Sequence, residues 1–175
     1  MEILIRIDKK IPEKEELQNF IDYLMNTFPL TNHGKFSVTI ERTKNMYMKG
    51  LCGNLCGYQF QDGKRLTRIT VKLPKVYTFQ NALVTLAHEY CHSLQQDRSE
   101  KMYSMCGLSR KEKAAGGNAK ELEADLFGVK IASGFMNIHP HALLEELWEN
   151  GLYRISKPAC AEEFGYVHLK RDAYV

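Results

Sequence analysis

One segment of the chain, residues 79–96, constrains the fold most strongly because it has to be a helix with two different faces. Placed at steps of about 100°, its apolar residues gather on one broad face. These residues are Leu83, Leu86, Ala87, Tyr90 and Leu94. His88 and His92 fall roughly opposite the centre of that face. The pattern predicts a helix that buries one side in a core and presents two histidines to a cleft.

The other segments predict mostly strands before this helix and further helices after it. Alternating apolar and polar residues predict strands, and apolar residues that recur every three or four positions predict helices. The predicted order is β-α-β-β-β-α-α-α, with boundaries at 2–8, 12–28, 35–42, 58–61, 65–73, 79–96, 118–133 and 140–150. This order is typical of an α+β domain, and we expect a small, mostly antiparallel sheet packed against the helices.

Local residues support several of these boundaries. Thr78 and Asn118 are expected to cap the helices that follow them. Asp62 and Gly63 form a dipeptide that favours a hairpin between the two strands on either side. The stretch 44–57 contains three glycines and is expected to be a loop.

Composition and charge narrow the class of protein. The chain has 175 residues, of which 44% are hydrophobic, and these values fit a single globular domain over 1–175. The formal net charge is +3, and basic residues are interleaved with acidic ones, so we expect no nucleic-acid partner.

No segment reaches the roughly 18 apolar residues that cross a bilayer, and the N-terminus does not resemble a signal peptide. We therefore expect a cytoplasmic protein with no membrane partner.

The chain has five cysteines, an odd number, and no CxxC pair occurs among them. In a reducing compartment the expectation is five thiols. Two alternatives remain for Cys52 and Cys56: a second metal site completed by Cys106 or Cys160, or an oxidised pair. Their spacing matches no standard zinc template.

The segment 88–92 has the form HExxH. Histidines four residues apart lie one helical turn apart, so both imidazoles can reach one metal ion at about 2.0–2.1 Å. Glu89 is rotated along the helix rim and can approach a metal-bound water without competing for the metal. We therefore predict that His88 and His92 bind zinc and that Glu89 is a general base. Cys91 points away from His92, so we expect it to be packed or partly exposed.

A third ligand is offered by the predicted helix that contains ELEADLFG at 121–128. Here the chain resembles the gluzincin metallopeptidases, in which HExxH is followed by a helix bearing ExxAD or ExxSD. The resemblance covers about 66–135, with a helix like that of thermolysin and a compact size like that of ImmA/IrrE peptidases. It implies a minimal zincin-like domain in which Glu121 is the third zinc ligand. It also implies that Asp125 hydrogen-bonds a zinc-bound histidine, His88.

The implied activity is zinc-dependent hydrolysis of peptide bonds in a protein or peptide substrate, with one Zn²⁺ ion and Glu89 as the base. The strand at 67–73 is expected to line the cleft and to pair with an extended peptide. The alternative is a zincin-like module that binds zinc and docks or senses a partner without catalysis. A structural zinc site is disfavoured, because such sites use four protein ligands, mostly cysteine and histidine.

Several residues keep alternative roles. Glu121 follows Asn118 at the spacing of a reciprocal N-terminal cap, and Asp125 is alternatively a plain surface acid. Glu123 is a weaker ligand candidate because it points about 200° away from Glu121 around the helix. The interval from His92 to Glu121 is 29 residues, longer than in thermolysin-like enzymes.

No single residue is identified as the one that stabilises the oxyanion. The candidates are Tyr103, His139, His141, Tyr153, Tyr166 and His168. Four histidines are expected to be surface residues rather than catalytic ones: His33, His139, His141 and His168.

Overall fold

The computed structural model describes residues 1–43, 52–59, 65–98 and 118–149, and gives only the backbone for 52–59, Arg98, Asn118 and Ala119. These ranges contain four strands and four helices. The strands are β1 (Glu2–Ile7), β2 (His33–Arg42), β3 (Cys52–Gln59) and β4 (Arg65–Leu73). The helices are α1 (Lys14–Thr27), α2 (Phe79–Arg98), α3 (Asn118–Met136) and α4 (Pro140–Glu149).

The four strands form one sheet in the order β1-β2-β4-β3. β1 pairs with β2 in parallel, with Ile5 opposite Val38. β2 pairs with β4 in parallel, with Val38 opposite Ile69. β3 runs antiparallel to β4, with Leu55 opposite Ile69. The register therefore places Ile5, Val38, Ile69 and Leu55, one residue of each strand, in the same row across the sheet.

The expectation of a mostly antiparallel sheet is wrong. Two of the three strand pairings are parallel, and only the β3–β4 pair is antiparallel. The alternation of apolar and polar residues gives the faces of a strand but not its direction. Parallel neighbours need a long crossover, and α1 supplies one between β1 and β2. The antiparallel pair lies on either side of the predicted hairpin, whose residues Asp62 and Gly63 lie outside the described residues.

Two further expectations about the strands need correction. The predicted loop 44–57 is wrong for residues 52–57, which belong to β3. The strand at 67–73 was expected to pair with an extended peptide, but β4 is paired along both edges, with β2 and β3. It therefore has no free edge for strand addition. Among the described strands, β3 and β1 lie at the ends of the sheet.

The helices lie close to their predicted boundaries. α2 begins at Phe79, and the Thr78 hydroxyl accepts a hydrogen bond from the Asn81 backbone N–H at 3.2 Å, as a cap should. α3 includes Asn118, the residue predicted as its cap, and ends at Met136, three residues later than expected. Asn137 follows it with a φ of 54°, a left-handed conformation that ends helices. None of the helices in the described ranges has the length and apolar character needed to cross a membrane.

The core lies between one face of the sheet and the helices. All five residues of the predicted apolar face of α2 are buried, Leu83 and Ala87 completely. They pack in one cluster with the apolar face of α1, the inward residues of β2 and β4, and residues of α3 and α4. This packing fixes one side of α2, so its opposite side is left to present the two histidines.

Candidate metal centre

α2 places His88 and His92 one turn apart on the same side of the helix. Their rings are perpendicular, with an interplanar angle of 89° and centroids 4.7 Å apart. The two Nε2 atoms are 3.0 Å apart, so both rings direct the same nitrogen toward one point. His92 is 8% exposed, so the histidine side of the site is largely screened from water.

α3 brings Glu121 to the same point. One carboxylate oxygen lies 3.3 Å from His88 Nε2, and the other lies 3.4 Å from His92 Nε2. The Glu121 side chain is 59% exposed, whereas the histidine side chains are 16% and 10% exposed. The group is therefore closed on the helix side and open to solvent on the carboxylate side.

The close approach of α3 to α2 depends on Gly128. A Cβ built on this glycine would lie 2.8 Å from the Val84 carbonyl oxygen and 3.4 Å from the His88 backbone nitrogen. Both contacts are to the backbone of α2, so a larger residue would have to push the helices apart. The glycine in the segment 121–128 thus allows Glu121 to reach the histidines.

The three side chains are of types that bind metal ions, and one ligand atom from each lies within 4.8 Å of the others. At bond lengths of about 2.0–2.1 Å, atoms at tetrahedral positions around zinc are about 3.3–3.4 Å apart. Here the two Nε2 atoms are 3.0 Å apart, and the two carboxylate oxygens of Glu121 lie 3.3 Å from His88 Nε2 and 3.4 Å from His92 Nε2, one oxygen against each ring. Within the described part of the chain, no other group of three His, Cys, Asp or Glu side chains converges in this way. Two imidazoles and one carboxylate are a donor set typical of catalytic zinc rather than structural zinc.

Asp125 contacts His88 from the side opposite the site. Its Oδ1 atom lies 2.8 Å from His88 Nδ1, which is the hydrogen bond predicted from the sequence. A carboxylate can only accept, so Nδ1 carries the hydrogen, and in the neutral ring Nε2 has a free lone pair directed at the site. A carboxylate in this position also makes the ring a more basic ligand.

The charges around the site favour a cation. Burial disfavours the charged form of His88, but hydrogen bonds to Asp125 and Glu121 outweigh it and raise its pKa to about 10. The hydrogen bond with His88 in turn lowers the pKa of Glu121. Two carboxylates thus stabilise positive charge at His88, which a proton or a divalent cation can supply.

Glu89 lies beside the three predicted ligands without belonging to them. It is 8% exposed, and its carboxylate interacts electrostatically with His88, His92 and Glu121. Burial raises its pKa above the usual value, against the opposing effect of the two histidines. A raised pKa brings a carboxyl group closer to the range in which it can both accept and return a proton near neutral pH.

The remaining predictions about this region have mixed outcomes. Cys91 is 1% exposed, as expected for a packed residue. Glu123 does not join the histidines; its Oε2 atom accepts a hydrogen bond from Gln95 at 2.9 Å. The Asn118 side chain, needed for the alternative in which Glu121 is only a cap, lies outside the described residues. Gln95 was missed by sequence reasoning because nothing in its local sequence distinguishes it from a surface glutamine.

The expectation that His33 is a surface residue is wrong. It is 5% exposed, with Nε2 at 2.7 Å from the Thr67 hydroxyl and Nδ1 at 2.9 Å from Asp97 Oδ1. These contacts join residues far apart in sequence, which no local pattern indicates.

His139 accepts a hydrogen bond from the His141 backbone N–H at the beginning of α4. The other candidates for oxyanion stabilisation lie outside the described residues: Tyr103, Tyr153, Tyr166 and His168.

Comparisons with known protein families, with curated protein sequences and with solved structures give no significant match to this chain.

Proposed function

We propose that this protein is a zinc-dependent hydrolase that cleaves peptide bonds in a protein or peptide substrate. In this proposal His88, His92 and Glu121 hold one zinc ion, and Glu89 is the general base. The observation that supports it most strongly is the convergence of three ligand atoms, one from each side chain and from two helices, within 4.8 Å of one another.

Each residue of the site has a defined part in the proposed reaction. When bound, zinc would polarise the scissile carbonyl and lower the pKa of a bound water to about 7. Glu89 takes a proton from the attacking water and returns it to the leaving amine, which needs a carboxyl group of raised pKa. Asp125 keeps the hydrogen of His88 on Nδ1, so that Nε2 remains a ligand.

The described sheet has an end strand next to this site. Strand addition needs a strand with an open edge, and β3 lies at the end of the described sheet on the side of β4. α2 contacts both β3 and β4, so this end of the sheet lies beside the helix that carries the histidines. We therefore propose β3, rather than β4, as the strand that pairs with the substrate.

The test of the mechanism is the variant Glu89→Gln. Its amide cannot accept the proton, so hydrolysis should fall by about 10²–10⁴-fold while zinc content stays at the parent value. The matched control is Glu15→Gln, an exposed glutamate on α1 that should leave both quantities unchanged. The measurements are zinc per chain and the cleavage rate of a peptide library followed by mass spectrometry. If Glu89→Gln cleaves as fast as the parent, the proposed mechanism is wrong.

The same assay separates catalysis from a role as a zinc-binding docking module. One zinc per chain in the parent, with no cleavage of the library and no parent-specific products in cells, would support the docking module. For the cellular measurement, the proteomes of cells that express the parent and the Glu89→Gln variant are compared. Products that occur only with the parent identify the substrate.

A further inference from the structure

Gln95 is a buried polar residue that connects the two helices of the metal centre. It is 3% exposed and lies on α2, one turn after His92. Its Nε2 atom donates to the Lys120 carbonyl oxygen at 3.0 Å and to Glu123 Oε2 at 2.9 Å. Its Oε1 atom lies 2.8 Å from His92 Nδ1. One carboxamide therefore contacts both the second histidine and the first turn of α3.

The chemistry of these partners determines the orientation of the carboxamide. A backbone carbonyl and a carboxylate can only accept hydrogen bonds, so the NH₂ group of Gln95 has to face Lys120 and Glu123. Its carbonyl oxygen is then left to face His92 Nδ1, and that nitrogen must carry a hydrogen. In the neutral ring, the lone pair of His92 is consequently on Nε2, the nitrogen that lies near His88 and Glu121.

We propose that Gln95 is a positioning residue of the metal centre. It holds His92 in the tautomer with hydrogen on Nδ1, and it fixes Glu121 relative to that ring. The second part follows from the sequence of α3, because Lys120 and Glu123, the two residues bound by Gln95, lie on either side of Glu121. This role of Gln95 deepens the proposed function, and it rests on the proposed zinc site only where zinc binding is concerned.

Gln95 and Asp125 then have equivalent tasks for the two histidines. Asp125 contacts His88 Nδ1 and Gln95 contacts His92 Nδ1, each at 2.8 Å. The partner of His88 is charged and the partner of His92 is neutral. The neutral amide orients His92 without adding another negative charge beside Glu89, Glu121 and Asp125.

The first measurement is zinc affinity by competition with a chelator, in the parent and in two methionine variants. Gln95→Met keeps the length of the side chain but loses every hydrogen bond, so zinc should bind about 10–100-fold more weakly. The matched control is Gln96→Met, because Gln96 is the adjacent residue on α2 and is 5% exposed. This control should bind zinc as the parent does. Equal affinities in Gln95→Met and Gln96→Met would overturn the proposal.

The second measurement is the tautomer of His92 in the metal-free protein, from two-bond ¹H–¹⁵N correlations. The parent should carry hydrogen on Nδ1 in the neutral ring, and Gln95→Met should lose this preference. Hydrogen on Nε2 in the parent would overturn the proposal. Because no metal or substrate is needed, failure of this test is distinct from failure of the proposed function, which would appear as a lack of zinc binding or of cleavage.

Discussion

At the scale of single residues, the two histidines depend on partners that the HExxH pattern does not include. His88 Nδ1 contacts a carboxylate on α3, and His92 Nδ1 contacts an amide on α2 itself. The first partner is the one implied by the resemblance of the segment 121–128 to the gluzincin helix, with Asp125 one turn after Glu121. The second has no counterpart in the sequence pattern, because the orientation of Gln95 depends on the carbonyl and carboxylate of another helix.

The Asp125→Asn variant tests the role of the partner of His88. Loss of the Asp125 carboxylate should weaken zinc binding by about 10–100-fold, because the His88 ring becomes a less basic ligand. It should also lower the pKa of His88, which is about 10 when Asp125 and Glu121 are both ionised. Zinc has to displace the proton on His88, so affinity in the parent should rise with pH up to that pKa.

Chelator competition at several pH values measures both effects. In Asp125→Asn the rise in affinity should level off at a lower pH than in the parent. Asp22→Asn, an exposed residue on α1, is the control. An unchanged affinity and pH dependence in Asp125→Asn would show that Asp125 has no effect on the ligand.

At the scale of elements, the sequence predicted the helices of the site well and the sheet poorly. α2 and α3 have long apolar patterns. The first residue of α2 was predicted correctly at Phe79, and α3 begins at Asn118, the residue predicted as its cap. Strand direction was missed because the alternation in β1, β2 and β4 is the same whether a neighbour is parallel or antiparallel. β3 was missed over 52–57 because its glycines are typical of loops.

Gly128 controls the distance between α2 and α3. Gly128→Ala places a Cβ against the Val84 carbonyl oxygen, so α3 must shift and the free energy of unfolding should fall by about 1–3 kcal/mol. Zinc affinity should fall as well, because Glu121 moves with α3. Urea unfolding and chelator competition measure the two changes.

The same helix offers a control in Gly134→Ala. A Cβ at Gly134 meets no atom within 4 Å, so this substitution should stabilise the helix by up to about 1 kcal/mol and leave zinc affinity unchanged. If Gly128→Ala behaves like Gly134→Ala, close packing of the two helices is not what brings Glu121 to the histidines.

At the scale of the whole molecule, the end of α2 is tied to the beginning of two strands. Asp97 accepts hydrogen bonds from the backbone N–H groups of Thr31 and Asn32 at 2.6 and 3.2 Å, and it lies beside His33. His33 in turn contacts Thr67 on β4. These contacts hold the helix that carries the proposed metal ligands against the sheet. They join segments that are too distant in sequence to be predicted from local patterns.

This connection should make the stability of the fold depend on pH. Burial lowers the pKa of His33 below 6.5, although Asp97 opposes the shift. At pH values between the pKa of His33 in the folded chain and its pKa of about 6.5 in the unfolded chain, the unfolded chain binds more protons. The free energy of unfolding should therefore fall as the pH drops below about 6.5, by up to about 1.4 kcal/mol per pH unit. The decrease should be smaller in His33→Gln, measured by urea unfolding between pH 7 and 5. Parallel pH profiles for the parent and His33→Gln would exclude His33 as the source.

The central claim is that two imidazoles and one carboxylate, from α2 and α3, hold one zinc ion. The most direct measurement is the zinc K-edge X-ray absorption spectrum of the protein loaded with one equivalent of zinc. We expect nitrogen and oxygen neighbours at about 2.0–2.1 Å, the outer-shell pattern of two imidazoles, and one fewer protein oxygen in Glu121→Ala. Sulfur neighbours at about 2.3 Å, fewer than two imidazoles, or a spectrum unchanged by Glu121→Ala would contradict the account.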